Sequence, residues 1–162
     1  MKKFALIISL TFTTLQIMAQ KEIKTSIVIN ATPQTVWSIL TDFENYPNWN
    51  PFISSAEGEI AVGEKLKITD GGMGFKPKVL VADENQELRW LGKLLFKGIF
   101  DGEHIFIIED NKDGTVTFRQ EEKFKGILVG MFSKKLDRET KPGFQAMNKK
   151  LKELAEAKQA AI

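Results

Sequence analysis

The stretch DFENYPNWNPF, residues 42–52, fits neither regular template. Phe43, Tyr46, Trp49 and Phe52 recur every third residue, whereas a strand alternates every second. Pro47 and Pro51 exclude a long helix, because an interior proline removes a backbone donor and clashes with the preceding turn. The pattern predicts a short helical turn broken by proline, with its aromatics on one side. Just before it, TPQTVWSILTD (32–42) reads as a helix, with Thr32 as N-cap and Pro33 at the first helical position. Val36, Ile39 and Leu40 make its buried stripe, and Trp37 extends it.

Outward from there the chain is mostly strand. KTSIVINA (24–31) precedes the helix with Ile27 and Ile29 on one face. After residue 53 come ISSAEGEI, KLKITD (65–70), KPKVLVAD (76–83), QELRWLGKL (86–94) and IFDGEHIFIIED (99–110). The turn NKDG (111–114) then leads into TVTFRQEEKFK (115–125). DGGMG (70–74) reads as a mobile turn. Short turns between successive strands predict an antiparallel meander. From Gly126 the pattern is helical, with Ile127, Leu128, Met131 and Phe132 on one face. Phe144, Met147, Leu151 and Leu154 continue it past an expected kink or break at Pro142–Gly143. The fold class is therefore α+β: a curved antiparallel sheet, with two short helices after its first strand, wrapped around a long C-terminal helix.

Composition narrows the function classes. The 162 residues are 43% hydrophobic and 27% charged, as in a globular chain. Residues 1–19 have a signal-peptide layout: basic MKK, then the apolar FALIISLTFTTLQIM, with Ala19 as the cleavage position. Export to the periplasm or beyond is expected, leaving one domain over residues 20–162. Two of the 23 Lys and Arg residues lie in that leader, so 21 remain against 21 Asp and Glu. With no net charge left, nucleic acid is not an expected partner. The absence of cysteine rules out a disulfide framework. One histidine and no clustered carboxylates make a metal site unexpected, and no cofactor motif is present. DGGMG lacks the Lys-Ser/Thr of a phosphate loop, and no G-x-S-x-G occurs. Nothing in the sequence fixes the oligomeric state.

Several motifs in order carry a resemblance. VWSILTDFENYPNWNPFI, LRW followed by FDGEHIF, and EEKFKGIL ahead of GFQAMNKKLKELAE together resemble the SRPBCC superfamily, also called START-like or helix-grip. That group includes the polyketide cyclase and lipid-transport families. The resemblance covers residues 24–158 and implies a cavity for a lipid-, sterol- or polyketide-like molecule. Only some members of such a group are enzymes, so the fold does not fix a reaction. The resemblance makes residues 42–52 one side of the cavity. Phe43 and Tyr46 suit a plain hydrophobic plug, while Trp49 and Phe52 are ligand neighbours.

His104 shares a strand face with Phe100, Phe106 and Ile108, while Phe118, Gln120 and Glu122 share one on the next strand. Pairing Asn111 with Thr115 sets His104 opposite Glu122, within interaction distance. The pair is a candidate for general acid–base catalysis, or simply satisfies two polar groups at the cavity floor. Trp90, Met131, Phe144 and Met147 complete the expected ligand wall. GKLLFKGIF (92–100) is apolar with Lys93 and Lys97, and suits either a plain hairpin with solvated lysines, the commoner case, or an entrance in transient contact with anionic amphiphiles or a membrane surface. Three readings stay open: an exported binder without turnover, a cyclase- or isomerase-like enzyme using His104 and Glu122, and an interior filled by its own side chains.

Overall fold

The computed structural model describes residues 19–70, 72–94 and 96–161, so the expected leader lies outside the described residues apart from Ala19. Strand β1 (Ala19–Ile29) is followed by helix α1 (Pro33–Leu40), a 3-10 turn (Phe43–Asn45) and helix α2 (Tyr46–Trp49). Strands β2 (Ile53–Glu57), β3 (Lys67–Asp70), β4 (Met73–Phe75), β5 (Lys78–Asp83), β6 (Glu87–Leu94), β7 (Phe100–Asp110) and β8 (Val116–Gly126) follow, then helix α3 (Val129–Ala160). This is the α+β helix-grip arrangement.

Local chemistry sets the first elements. Thr32 caps α1 by accepting the Thr35 N–H at 3.2 Å, with Pro33 beside it. Pro47 falls in the first turn of α2, where its missing donor costs nothing. Pro51 follows the helix end, and Asn50 Oδ1 accepts the N–H groups of Phe52 and Ile53, turning the chain into β2. Phe43 and Tyr46 are both buried, and the Tyr46 hydroxyl donates to the Leu40 carbonyl at 2.6 Å.

The strands differ from one continuous meander. Five of them form a curved sheet in the order β1-β8-β7-β6-β5, while β2-β3-β4 make a separate antiparallel sheet. DGGMG is not only a turn, since Met73 and Gly74 pair with Asp70 and Thr69. The two sheets meet where Leu66 N–H donates to the Pro77 carbonyl and Val79 N–H to the Glu64 carbonyl, both at 2.9 Å. β1 pairs along its length with β8, so the first and last strands are neighbours.

Helix α3 runs unbroken through Pro142, contrary to the expected break. The missing proline donor removes one intrahelical bond. Phe144, Met147, Leu151 and Ala155 are fully buried just beyond it, and that packing holds the helix together. The buried stripe also includes Thr140 and Asn148. Met131 does not belong to it and is 68% exposed, with Ile127 and Leu154 also exposed. At helical pitch Met131 lies roughly 140° round the axis from Phe144. Replacing Leu151 by Ala should destabilise the protein by about 2–5 kcal/mol, whereas Met131→Ala should stay within about 0.5 kcal/mol. Urea denaturation of the two variants beside wild type measures both.

Candidate functional site: a cavity between the two sheets and the long helix

A cavity of about 630 Å³ lies between the two sheets and α3. The large sheet contributes Trp90 and Gly92 from β6, Phe100, Gly102 and His104 from β7, and Glu122 and Phe124 from β8. The small sheet adds Ile53, Ile68, Asp70, Met73 and Phe75, and α3 adds Phe132, Leu136, Thr140 and Gly143. Phe52 closes one side. A Cβ on Gly143 would overlap the Phe52 ring, so only glycine lets that ring lie directly on the helix. There the ring meets Phe144 edge-on, with centroids 5.1 Å apart. The Pro-Gly pair, read as a helix breaker, is thus a seat for an aromatic wall.

Five expected ligand neighbours line the cavity: Phe52, Trp90, Phe100, His104 and Glu122. With Trp90 inward, Arg89 points the other way and pairs with Glu87 and Glu103. The other expected neighbours lie elsewhere. Phe106, Phe118, Gln120, Phe144 and Met147 are fully buried in close-packed core below the cavity floor. Trp49 packs half-buried against Tyr46 at 5.2 Å, away from the cavity, and Met131 faces outward. The filled-interior reading therefore describes the core beneath the cavity and not the cavity itself. Asp70 was missed, although KLKITD holds a signal for it. Leu66 and Ile68 are buried, and the period of two carries Asp70 to the same face.

His104 and Glu122 stand opposite each other, in the register set by the bond from Asn111 N–H to the Thr115 carbonyl. They form neither a hydrogen bond nor an ion pair. The imidazole is sandwiched between the rings of Phe106 at 4.3 Å and Phe144 at 4.8 Å, with Trp90 edge-on at 5.3 Å. Its Nε2 lies 2.9 Å from the Gln120 amide nitrogen, which donates to it and so selects the neutral ring with its proton on Nδ1. Burial lowers the His104 pKa to about 3. Burial, and then the charge of Asp70, raise the Glu122 pKa to about 8, and burial raises that of Asp70 to about 6. A carboxylate beside an imidazole usually draws it toward the charged form. Here burial favours the uncharged form of both groups, so Glu122 offers no such pull and His104 is uncharged at neutral pH. It is a poor general base. Gly102 contributes by absence: a Cβ there would come within 2.8 Å of Glu122 Oε1.

The chemistry of the wall is that of an apolar container with a few hydrogen-bonding groups set into it. Neutral Glu122 can donate from its carboxyl, and Asp70, mostly ionised at pH 7, can accept. Among the described residues no three His, Cys, Asp or Glu side chains gather as metal ligands.

Comparison with known proteins agrees with this geometry. No curated protein matches the chain. Among solved structures, norcoclaurine synthase from Thalictrum flavum, in complex with dopamine and hydroxybenzaldehyde, is similar at 14% identity with a TM-score of 0.66. That similarity covers 94% of this chain and 96% of that one. A START superfamily protein from Mycobacterium smegmatis is 20% identical with a TM-score of 0.60, over 86% and 97% of the two chains. A protein from Mesorhizobium loti is 19% identical with a TM-score of 0.66, over 85% and 98%. At these identities the likeness is one of fold. Residues 20–156 match the family model described as polyketide cyclase / dehydrase and lipid transport, and the chain belongs to that family.

Proposed function

We propose that this protein is an exported binder that holds a hydrophobic small molecule, lipid-, sterol- or polyketide-like, in its cavity without turning it over. The observation that carries this reading is the cavity wall: it is mainly aromatic and aliphatic, with His104 sealed between the rings of Phe106 and Phe144, and burial favours the uncharged forms of His104 and Glu122. A wall of Phe52, Ile68, Trp90, Phe100 and Phe124, with a few hydrogen-bonding groups among them, suits an apolar molecule carrying one carbonyl or hydroxyl. One observation favours the enzyme alternative. Asp70 and Glu122 titrate at about 6 and about 8, so near neutral pH one is mostly ionised while the other holds its proton. That is the arrangement of an acid–base pair, and it would move cyclase- or isomerase-like chemistry from His104 to the two carboxyls.

Displacement of a fluorescent fatty acid separates the two readings. In a binder, Phe100→Ala removes a wall and should weaken binding by about tenfold or more, while Asp70→Asn and Glu122→Gln should change it only a few-fold. In an enzyme, removing a positioned acid or base should cost about 10²–10⁴-fold in rate with binding largely kept. Time-dependent conversion of a bound polyketide or steroid, lost in the two carboxyl variants alone, would overturn the binder.

Burial of the same groups makes stability depend on pH. The folded pKa of Glu122, about 8, lies above its ordinary value of 4.5, so across that window the folded protein holds a proton the unfolded chain has released. Stability therefore falls as pH rises through the window. Asp70 acts in the same direction up to about 6, and His104, lowered from 6.5 to about 3, acts oppositely below 6.5. Above about pH 6.5 the tails of His104 and Asp70 are small and opposite in sign, and Glu122 supplies the largest change. Wild type should lose stability between pH 6.5 and 8.5, and Glu122→Gln should lose distinctly less, as read from urea midpoints at the two pH values.

The exported state rests on the layout of residues 1–19. N-terminal sequencing of the natural protein should find a chain starting at Gln20 or Lys21. Retention of Met1 would exclude cleavage.

A further inference from the structure

The large apolar side chains left exposed on this protein are not scattered evenly. Phe96, 75% exposed, sits in the turn between β6 and β7, two residues after the exposed Leu94. Ile127 N–H donates to the Gly98 carbonyl, which fixes the start of α3 against that turn, and Met131, 68% exposed, lies one helical turn beyond Ile127. Exposed Met73 and Leu94 also line the cavity, so this cluster stands at the cavity's rim.

The same rim is basic. Lys93 lines the cavity, Lys97 lies beside Phe96, Lys125 precedes the Gly126 turn, and Lys134 follows Met131 by three residues. None of the four forms an ion pair among the described residues. Of the nearby acids, Asp101 accepts the Gly98 N–H and Glu139 pairs with Lys135 and Arg138, which leaves Asp70, opposite Met73, against the four lysines. The far end of the sheet has the opposite character. A polar cleft there is lined by Asp83, Glu84, Glu87, Glu109 and Asp110 with Lys112, at the turns β5–β6 and β7–β8; Glu87, Glu109 and Asp110 pair with Arg89, Arg119 and Lys112, and Asp83 and Glu84 form no ion pair among the described residues. The length of β7 separates the two ends by about 35 Å, several Debye lengths at physiological salt. Residues 20–162, whose total charge is balanced, therefore present one basic, apolar-tipped end.

We infer that this rim docks on the surface of a bilayer containing anionic lipids, with Phe96 and Met131 entering the headgroup region and the lysines facing the phosphates. Lysine stems lie along apolar surface while their ammonium groups stay with the headgroups. Both components of interfacial binding, buried apolar area and attraction to anionic lipid, are present at one place. The acidic end points the molecule away from the membrane and so fixes its orientation. No described helix is long and apolar enough to cross a membrane, so contact through this rim is peripheral. Because Leu94 and Met73 belong to both rim and cavity wall, the docked cavity opens onto the lipid surface.

The test uses the chain from Gln20, which lacks only Ala19 of the strands and helices described, and co-sedimentation with phosphatidylcholine vesicles with and without about one third phosphatidylglycerol. Wild type should bind the anionic vesicles and not the neutral ones, and lose binding as salt rises. Phe96→Ser should weaken binding by about tenfold or more. Lys93→Gln and Lys97→Gln should each weaken it by about fivefold. Val28→Ser, on an exposed apolar residue at the other end of the sheet, should change nothing. Equal binding to neutral vesicles, or anionic binding that Phe96→Ser leaves intact, would overturn the proposal. Fatty-acid displacement by Phe96→Ser in vesicle-free solution should match wild type, so that a docking defect is distinguished from a cavity defect.

Discussion

Phe144 holds the molecule's two halves in register. Its ring stacks on His104 of the large sheet on one side and meets Phe52, from the segment entering the small sheet, on the other. The helix is thereby locked to both sheets through one side chain, and close-packed core is separated from cavity at that level. Below it, Phe106, Phe118, Met147 and Leu151 fill the space between sheet and helix. Above it the sheets diverge, and the helix presents Gly143, Thr140 and Leu136, which are too small or too distant to close the gap. Close packing on one side and a container on the other thus meet at the level of one aromatic side chain.

The polar residues of the cavity show which electrostatic effect governs it. His104 and Glu122 occupy opposed positions on adjacent strands, where an ion pair would ordinarily be expected. Aromatic rings cover both faces of the imidazole, and the cost of desolvating two charges exceeds what their attraction returns. The pair stays neutral, and Gln120 satisfies the histidine instead. The like-charge relation between Asp70 and Glu122 adds to the same outcome from the other wall.

Where local chemistry sets the structure, the sequence is legible. Thr32-Pro33 marks the helix start, and Asn111 to Thr115 sets the register that brings His104 to Glu122. The aromatic triplet spacing of residues 42–52 marks a helical turn, and the motifs of the helix-grip family identify the fold. What the sequence hides depends on distant partners. The division into two sheets rests on contacts between residues 64–66 and 77–79 that no local pattern encodes. The apolar periodicity of α3 does not reveal that Met131 has nothing above it, because the cover there is the cavity rim and not a sheet. Alternation along a strand names the inward face, yet it does not tell a cavity wall from a packed floor. For that reason Phe100 and Phe106, equivalent in the pattern, have different neighbours.

The pairing of β1 with β8 joins Ala19 to Gly126 and Ile29 to Val116, positions roughly a hundred residues apart in the chain. During synthesis the first strand therefore emerges with no partner for either edge. At about 5–20 residues per second, its partner follows some 5–20 seconds later. The β7–β8 hairpin, closed by a local turn, can form on its own once made, but the edge of the large sheet is completed only when β8 meets β1. Helix α3, which packs on β1 and finishes the core, comes last of all. Folding of this chain is thus timed by its C-terminal third. Until that third is available, β1 has no strand to pair with and the edge of the large sheet stays open.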